Sequence, residues 1–578
     1  MDDSAVDRVS GARLSDSNAP KKATLLDRVH SELTLRQLSG KERLALGAIS
    51  LCAFMLFAAL QYDRVFTGDE VGTLNYLKES PSFLLTHFRM HLSMNYFILI
   101  EKGVAWLCGA TDWRLTLLPL AAAVAIIPLT ASLALKFTGS TRTALIAASL
   151  AAFNPYLIMF APMIRAYSLL VALSLLAINE FLHWYWQRDW WSSGRCAAAV
   201  FLLLLIHLNG VYTVAFLVLL LAVETVSLGW SGGRKFLWES KTLWIPLAGA
   251  ALLTLLAYWR LFPDIAKVNR LWGTDTPPTS MRYLPHVFSW YMGVGYAASL
   301  SALFLLAGSW SAAREKRALL LLCGGIILGP VLMSLQGVSV DSVDSSNYSR
   351  YLIFSLPWLL ILMAEGIDWL ARHVRIRRGA SVAAWGLTAL IVLCWTPGVQ
   401  AQFLKKKQWP YASLARFLRT QMQKDDMVVA GWGNGFNLAQ FFEHSGDRIM
   451  LPDKYVSKAA TQLDAPGVGR VFYVTGLGLL QGRKVPIQRF GLLEVATYSG
   501  DTARGLLEEW REDLVRRTSG RIVAPFQGDY RLLGLIEEQL PSDQSADHWR
   551  SLADSCRALS EPSIPRHLLK WKRAVMFP

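Results

Sequence analysis

The sequence predicts a polytopic α-helical membrane protein with about eleven transmembrane helices, followed by a C-terminal α/β domain. Three observations predict it. The 578-residue chain is 53% hydrophobic and only 17% charged, too apolar for a soluble protein of its length. Apolar runs of about 20 residues recur between 44 and 398, with short basic clusters between them. From Trp409 onward the composition becomes an ordinary polar and apolar mixture.

Taken in order, residues 1–43 form a polar cytoplasmic tail. They hold no apolar core followed by a small-residue cleavage site, so 44–61 reads as an uncleaved first span. Further spans are expected near 115–135, 143–161, 168–186, 242–259, 290–310, 318–336, 351–370 and 380–397. The run 196–230 is about twice one span in length, and His207, Asn209 and Gly210 interrupt it. It reads as two spans joined by a tight turn.

Charge orients these spans. With the basic N-terminus inside, the inner loops hold Lys136 with Arg142, Arg188 with Arg195, and Arg234 with Lys235 and Lys241. Arg314, Lys316 and Arg317 follow, then "RHVRIRR" at 372–378, each a cluster on the side that positive-inside bias favours. The net charge of +15 is therefore a topology signal, and no nucleic-acid partner is expected. The same alternation puts the loop 62–113, "APMIRAYS" at 161–168, the loop 260–289 and the C-terminal part 399–578 outside. In a bacterial inner membrane that places the α/β domain in the periplasm. Its expected strands include "MVVAGW" at 427–432 and "RVFYVTG" at 470–476, and its expected helices "FNLAQFFEH" at 436–444 and "TARGLLEEWREDLVRR" at 502–517. Lys405, Lys406 and Lys407 read as a juxtamembrane anchor to headgroups. The six cysteines show neither paired nor metal-ligand spacing, so neither a disulfide framework nor a zinc site is expected.

The first outer loop carries the densest chemistry of the membrane domain, 44–398. "FTGDEVG" at 66–72 places Asp69 and Glu70 side by side just beyond the first span. Residues 71–79 are short and amphipathic, and "MNYFILIEKGVAWLCG" at 94–109 is apolar but for Glu101 and Lys102 at its middle. Charges at mid-bilayer are costly, so both pieces are expected to lie along the membrane surface.

The chain resembles the GT-C superfamily of polyprenyl-phosphate-sugar glycosyltransferases, in particular bacterial relatives of protein O-mannosyltransferases and of the lipid A aminoarabinose transferase. The resemblance runs from about 44 to 400, through the acidic pair, "HLSMNYFILI" (91–100), "LCGATDWRLTLLPLAA" (107–122), "FNPYLIMFAPMIRAYSL" (153–169), "LLIHLNGVY" (204–212) and "SRYLIFSLPWLLILMAEGI" (349–367). Two departures stand out. The family commonly shows His-Pro-Pro where this chain has His91-Leu92-Ser93, and often an acidic residue where Ile164 precedes Arg165.

The resemblance implies an inverting transferase that moves a sugar from a polyprenyl-phosphate donor to an acceptor hydroxyl on the periplasmic face. Such chemistry needs one carboxylate to activate the acceptor and cations to stabilise the phosphate as it leaves. Asp69 is the expected base, with Glu70 orienting the acceptor or tuning its neighbour. Arg165 and Arg350, at outer span ends, suit a phosphate, with His207 adding a hydrogen bond; His91, Tyr167 and Tyr351 complete the expected substrate cavity. The expected partners are the lipid-linked sugar, the bilayer and an acceptor that is a glycan, a lipid or a protein. No cofactor is called for and no metal is indicated. The charged residues of 260–284 (Arg260, Asp264, Lys267, Arg270, Asp275 and Arg282) are expected to bear on acceptor choice.

Blander roles suit the same residues. Asp69 and Glu70 also fit a solvated loop or the N-terminal charge of a helix, and Arg165 and Arg350 fit interfacial anchors. His207 and Asn209 fit backbone satisfaction at a tight turn, and Tyr167 and Tyr351 an aromatic belt. Two other functions remain open at this level: a flippase of lipid-linked saccharide, and a non-catalytic polyprenyl-phosphate-binding protein. No internal repeat favours the flippase.

Overall fold

In a computed structural model, the described residues are 29–61 apart from 31–32, then Glu70, Thr73, Leu74, Tyr76 and Leu77, then 79–87, 94–109, 112–263, 283–316, Leu319, Cys323, Gly324 and Arg350. They continue through 352–373, 379–423 apart from Trp409, 426–430, Leu438, 449–450, 469–476, 485–503 apart from Leu492, and Gly505. The expectations for Asp69, His91, Tyr351, the loop 264–282, most of the span 318–336 and most of both C-terminal helices fall outside them.

The protein is a multi-pass α-helical membrane protein. Among the described residues eight helices are long and apolar enough to cross a bilayer. The first is α1 (Gly40–Gln61), whose 22 residues reach about 33 Å. A short helix α2 (Asn95–Cys108) follows, then the long α3 (Leu117–Thr138). At 14 residues α2 spans about 21 Å, too short to cross the hydrocarbon core.

The expected span 143–161 is two helices, α4 (Thr141–Phe153) and α5 (Pro155–Phe160). Proline drives the residue before it out of the helical region, and Asn154 sits at φ −67°, ψ 123°. The Asn154 side chain then caps α5, accepting from the Tyr156 and Leu157 N–H groups at 3.0 and 3.1 Å, and its amide donates to the Tyr291 carbonyl at 2.8 Å. The run 196–230 does divide at the expected turn, into α7 (Trp190–Ile206) and α8 (Gly210–Ser227), after α6 (Tyr167–Gln187).

Downstream come the amphipathic α9 (Gly229–Glu239), α10 (Lys241–Tyr258) and α11 (Tyr283–Met292). The expected span 290–310 starts later, as α12 (Tyr296–Glu315), because Gly293 and Gly295 adopt φ values of 86° and 61° that end α11. Last are α13 (Leu356–His373) and α14 (Ala380–Gln408), which extends the span expected at 380–397 so that Lys405–Lys407 are helical.

Helices α12 and α13 approach so closely that a Cβ on Gly308 would meet the Leu362 carbonyl, and one on Gly366 the Phe304 carbonyl. Small residues at a membrane helix crossing allow such backbone contact. At the end of this pair, basic residues from three separate inner loops of the sequence reading converge on two buried acids. Glu365 pairs with Lys316 at 2.7 Å and Arg372 at 3.4 Å and accepts from Ser311 Oγ at 2.8 Å, while Asp368 pairs with Arg142 and with Arg372 at 3.3 Å. The clusters near 142, 316 and 372 therefore lie at one end of the bundle, as their charge predicts.

The C-terminal residues form α15 (Tyr411–Gln421) and a five-stranded mixed sheet: β1 (Met427–Ala430), β2 (Ile449–Met450), β3 (Arg470–Gly476), β4 (Ile487–Phe490) and β5 (Leu493–Ser499), in the order β2-β1-β3-β5-β4. β1 runs parallel to β2 and β3, and β5 antiparallel to β3 and β4. Tyr411, Leu414 and Leu418 of α15 bury against Val428, Phe472, Val474 and Val495, which gives this sheet its own core. β1 and β3 match the two expected strands.

Candidate active site

Arg165 lies in the turn 161–166 between α5 and α6, the loop that the sequence places outside. The side chain is not a lipid-facing anchor. It is 6% exposed, and its Nη1 donates to Thr73 Oγ1 at 3.1 Å. Its guanidinium carbon stands 5.7 Å from the centroid of the Tyr167 ring, so a buried cation is braced by a hydroxyl and an aromatic face.

Glu70 reaches the same turn from the first loop. It is fully buried, and Oε1 accepts the Ile164 N–H at 2.8 Å. A solvated loop carboxylate is thereby ruled out for Glu70. Its geometry is that of a positioning residue, a charge-assisted tie across 94 positions of sequence. Position 164, which lacks an acid of its own, thus receives one from Glu70. Asp69 is bonded directly to this fixed residue.

The segment around Thr73 is held at further points. Leu74 packs with Leu115 and Ile164, and the Leu77 carbonyl accepts from Lys102 Nζ at 2.6 Å. Thr73 and Lys102 make ties that no sequence pattern marks, because their partners lie 92 and 25 residues away.

His207 caps the end of α7 with extended backbone, φ −155° and ψ 128°. Its Nδ1 accepts the Asn209 N–H at 3.1 Å, the backbone role expected of this turn. Burial, then the nearby Arg165 charge, pushes the imidazole down to about 3. His207 is therefore neutral, with its proton on Nε2, and can serve a phosphate as a hydrogen-bond donor rather than as a cation. Its ring stands 6.0 Å from that of Tyr167, which at 1% exposure is an interior residue and not part of an aromatic belt.

Arg350 is half-buried and precedes a short 3-10 turn, Ile353–Ser355, that packs against α6. Phe354 of that turn stacks on Tyr212 of α8 at 5.8 Å and 11°. Arg165, Tyr167, His207 and the chain around Arg350 thus gather at one end of the bundle, with Glu70 and Thr73 joining from the first loop. Among the described residues no group of three or more His, Cys, Asp or Glu side chains could hold a metal ion.

This chain is similar to the crystal structure of ArnT from Cupriavidus metallidurans in the apo state, with a TM-score of 0.50 at 13% identity over 80% of this chain and 98% of that one. The structure of the same ArnT bound to undecaprenyl phosphate matches with a TM-score of 0.50 at 13% identity, over 81% and 99% of the two chains. The chain shares the fold of this ArnT. The S. cerevisiae protein O-mannosyltransferase Pmt1–Pmt2 complex bound to the sugar donor overlaps less, with a TM-score of 0.32 at 14% identity over 39% and 34% of the chains, and carries no inference. No protein-family model and no curated protein matches the sequence. Within this fold, the residues gathered here come from the first loop, the turn that opens α6, the end of α7 and the chain ahead of α13.

Proposed function

We propose that this protein is an inverting glycosyltransferase that takes a sugar from a polyprenyl phosphate and passes it to an acceptor hydroxyl at the outer, periplasmic face of a bacterial inner membrane. One observation carries the reading: a buried arginine, a neutral histidine and a buried glutamate of the first loop converge at one end of a GT-C bundle. The likeness to an ArnT captured with undecaprenyl phosphate supports the same choice of donor.

In this mechanism Asp69 takes the proton of the acceptor hydroxyl. The oxygen attacks the anomeric carbon from the face opposite the phosphate, and the carbon–oxygen bond to phosphate breaks with its electron pair leaving on the phosphate. Arg165 and Arg350 stabilise that charge, and His207 adds a hydrogen bond. Glu70, next to Asp69 in sequence, is itself tied to the Arg165 turn. The scheme draws on no cofactor, and the acceptor is a glycan, a lipid or a protein.

Transfer of label from polyprenyl-phosphate sugars, in membranes holding matched amounts of wild type or Asp69→Asn, tests it. The substitution is expected to cut transfer by about 10²- to 10⁴-fold while the donor still binds. Undiminished transfer would remove Asp69 as the base. Absence of transfer by the wild type across a panel of donors would leave the flippase or the non-catalytic binder.

A further inference from the structure

Helix α2 carries an acid that the scheme above does not use. Glu101 is fully buried, and neither carboxyl oxygen has a hydrogen-bond partner among the described residues. Lys102, its neighbour in sequence, turns away to the Leu77 carbonyl. The other polar ties of α2 leave the carboxyl out as well. Asn95 Nδ2 donates to the Leu84 and His87 carbonyls at 2.5 and 2.9 Å, and Tyr96 Oη to the Ala257 carbonyl at 2.5 Å.

Placement says what the carboxyl faces. One turn before it, Phe97 and Ile98 enter the main core. One turn after it, Ala105 packs on Leu74, Leu115 and Ile164. Glu101 therefore lies along the seam between the bundle and the segment that Glu70 and Arg165 fasten. An apolar residue would pack there at lower cost, since buried polar groups are nearly always hydrogen-bonded and exceptions gather at functional sites.

We propose that Glu101 is a substrate-binding residue whose carboxyl hydrogen-bonds a hydroxyl of the sugar on the lipid-linked donor. The inference rests on the transferase reading for its donor. Burial raises this carboxyl to about 8 with no neighbouring charge to oppose it. Near neutral pH it is protonated, so it can both donate to and accept from a hydroxyl without repelling the adjacent phosphate.

The test is equilibrium binding to the full chain in nanodiscs, comparing radiolabelled undecaprenyl-phosphate pentoses and hexoses with undecaprenyl phosphate alone. Glu101→Met is expected to weaken the best sugar-bearing lipid by about tenfold or more, to leave the bare phosphate lipid within about twofold, and to raise Tm. Glu101→Gln keeps a donor and an acceptor and is expected to stay within about threefold of wild type. Should the Met variant fail to fold, Glu101→Asp, shorter by one methylene, is expected to show the same sugar-selective loss. Equal weakening of both lipids, no weakening of either, or a wild type that binds them alike would each overturn the proposal. A wild type that selects a sugar yet transfers none would sink the transferase and leave the Glu101 contact standing.

Discussion

Buried acids at the two ends of this bundle are treated in opposite ways. At the basic end Glu365 and Asp368 are almost fully buried and share Lys316, Arg372 and Arg142 between them. At the other end Glu101 is equally buried and has no hydrogen-bond partner among the described residues, while Glu70 spends an oxygen on a backbone N–H. Burying a carboxylate costs several kcal/mol unless it is paired and hydrogen-bonded. The first arrangement fastens helices together, whereas the second accepts instability where the proposed chemistry lies.

The largest expected effect tests the fastening end. Glu365→Ala strips the acid from Lys316 and Arg372, and removing one member of a buried pair costs about 3–5 kcal/mol. Arg372 is 40% exposed and can turn to water, so a loss of about 3 kcal/mol is expected. Thermal unfolding in detergent should show a Tm several degrees lower, with transfer per folded molecule unchanged. A variant as stable as wild type but slow in transfer would reverse the assignment of the two ends.

Much of this contrast could be read in the sequence at the level of elements. Hydropathy runs place α1, α3, α6, α8, α10, α13 and α14, and the division at His207–Gly210 follows from polar residues breaking an apolar run. The breaks at Asn154–Pro155 and at Gly293–Gly295 are equally present in the sequence, but run length outweighs turn chemistry there, so the expected spans 143–161 and 290–310 run across them. The basic clusters gave the sidedness of three loops, yet nothing showed that they meet on Glu365 and Asp368, since the Arg142–Asp368 contact joins residues 226 apart.

At the site, residue type was legible and role was not. The place of Arg165 at a span end marks it for the site, and the same logic suggests a lipid-facing anchor, which its burial excludes. In the sequence Glu101 argues only for keeping α2 out of the bilayer, whereas the structure turns its carboxyl inward. Burial of a single side chain depends on the packing of α2 as a whole, and one charged residue in an apolar run does not reveal it.

A smaller effect sharpens the role given to Glu70. A hydrogen bond to a charged acceptor contributes about 1.5–3 kcal/mol, so Glu70→Ala is expected to lower stability by about 2 kcal/mol, less than the loss at Glu365. Because Glu70 adjoins the proposed base in sequence, transfer should fall further than the stability loss explains. Glu70→Gln keeps an acceptor oxygen for Ile164 and should recover most of the stability. If Glu70→Gln restores the fold but not transfer, the carboxylate charge itself acts on substrate, and Glu70 belongs with Asp69 rather than with the scaffold.

A third comparison is read against pH. The Glu101 carboxyl is raised from the usual 4.5 to about 8 by burial, so between those values the folded chain holds a proton that the unfolded chain has released. Its contribution to stability is therefore fully present below pH 4.5 and is lost as pH rises through about 8, at no more than about 1.4 kcal/mol per pH unit. Glu101→Gln has no proton to lose. The difference in Tm between wild type and this variant, followed from about pH 5 to 9, should swing against the wild type as pH rises, then level off above the folded value. A flat difference would mean that Glu101 is already ionised in the folded chain. An ionised acid so deeply buried needs a cation, and Glu101 would then join Glu365 as a fastening residue.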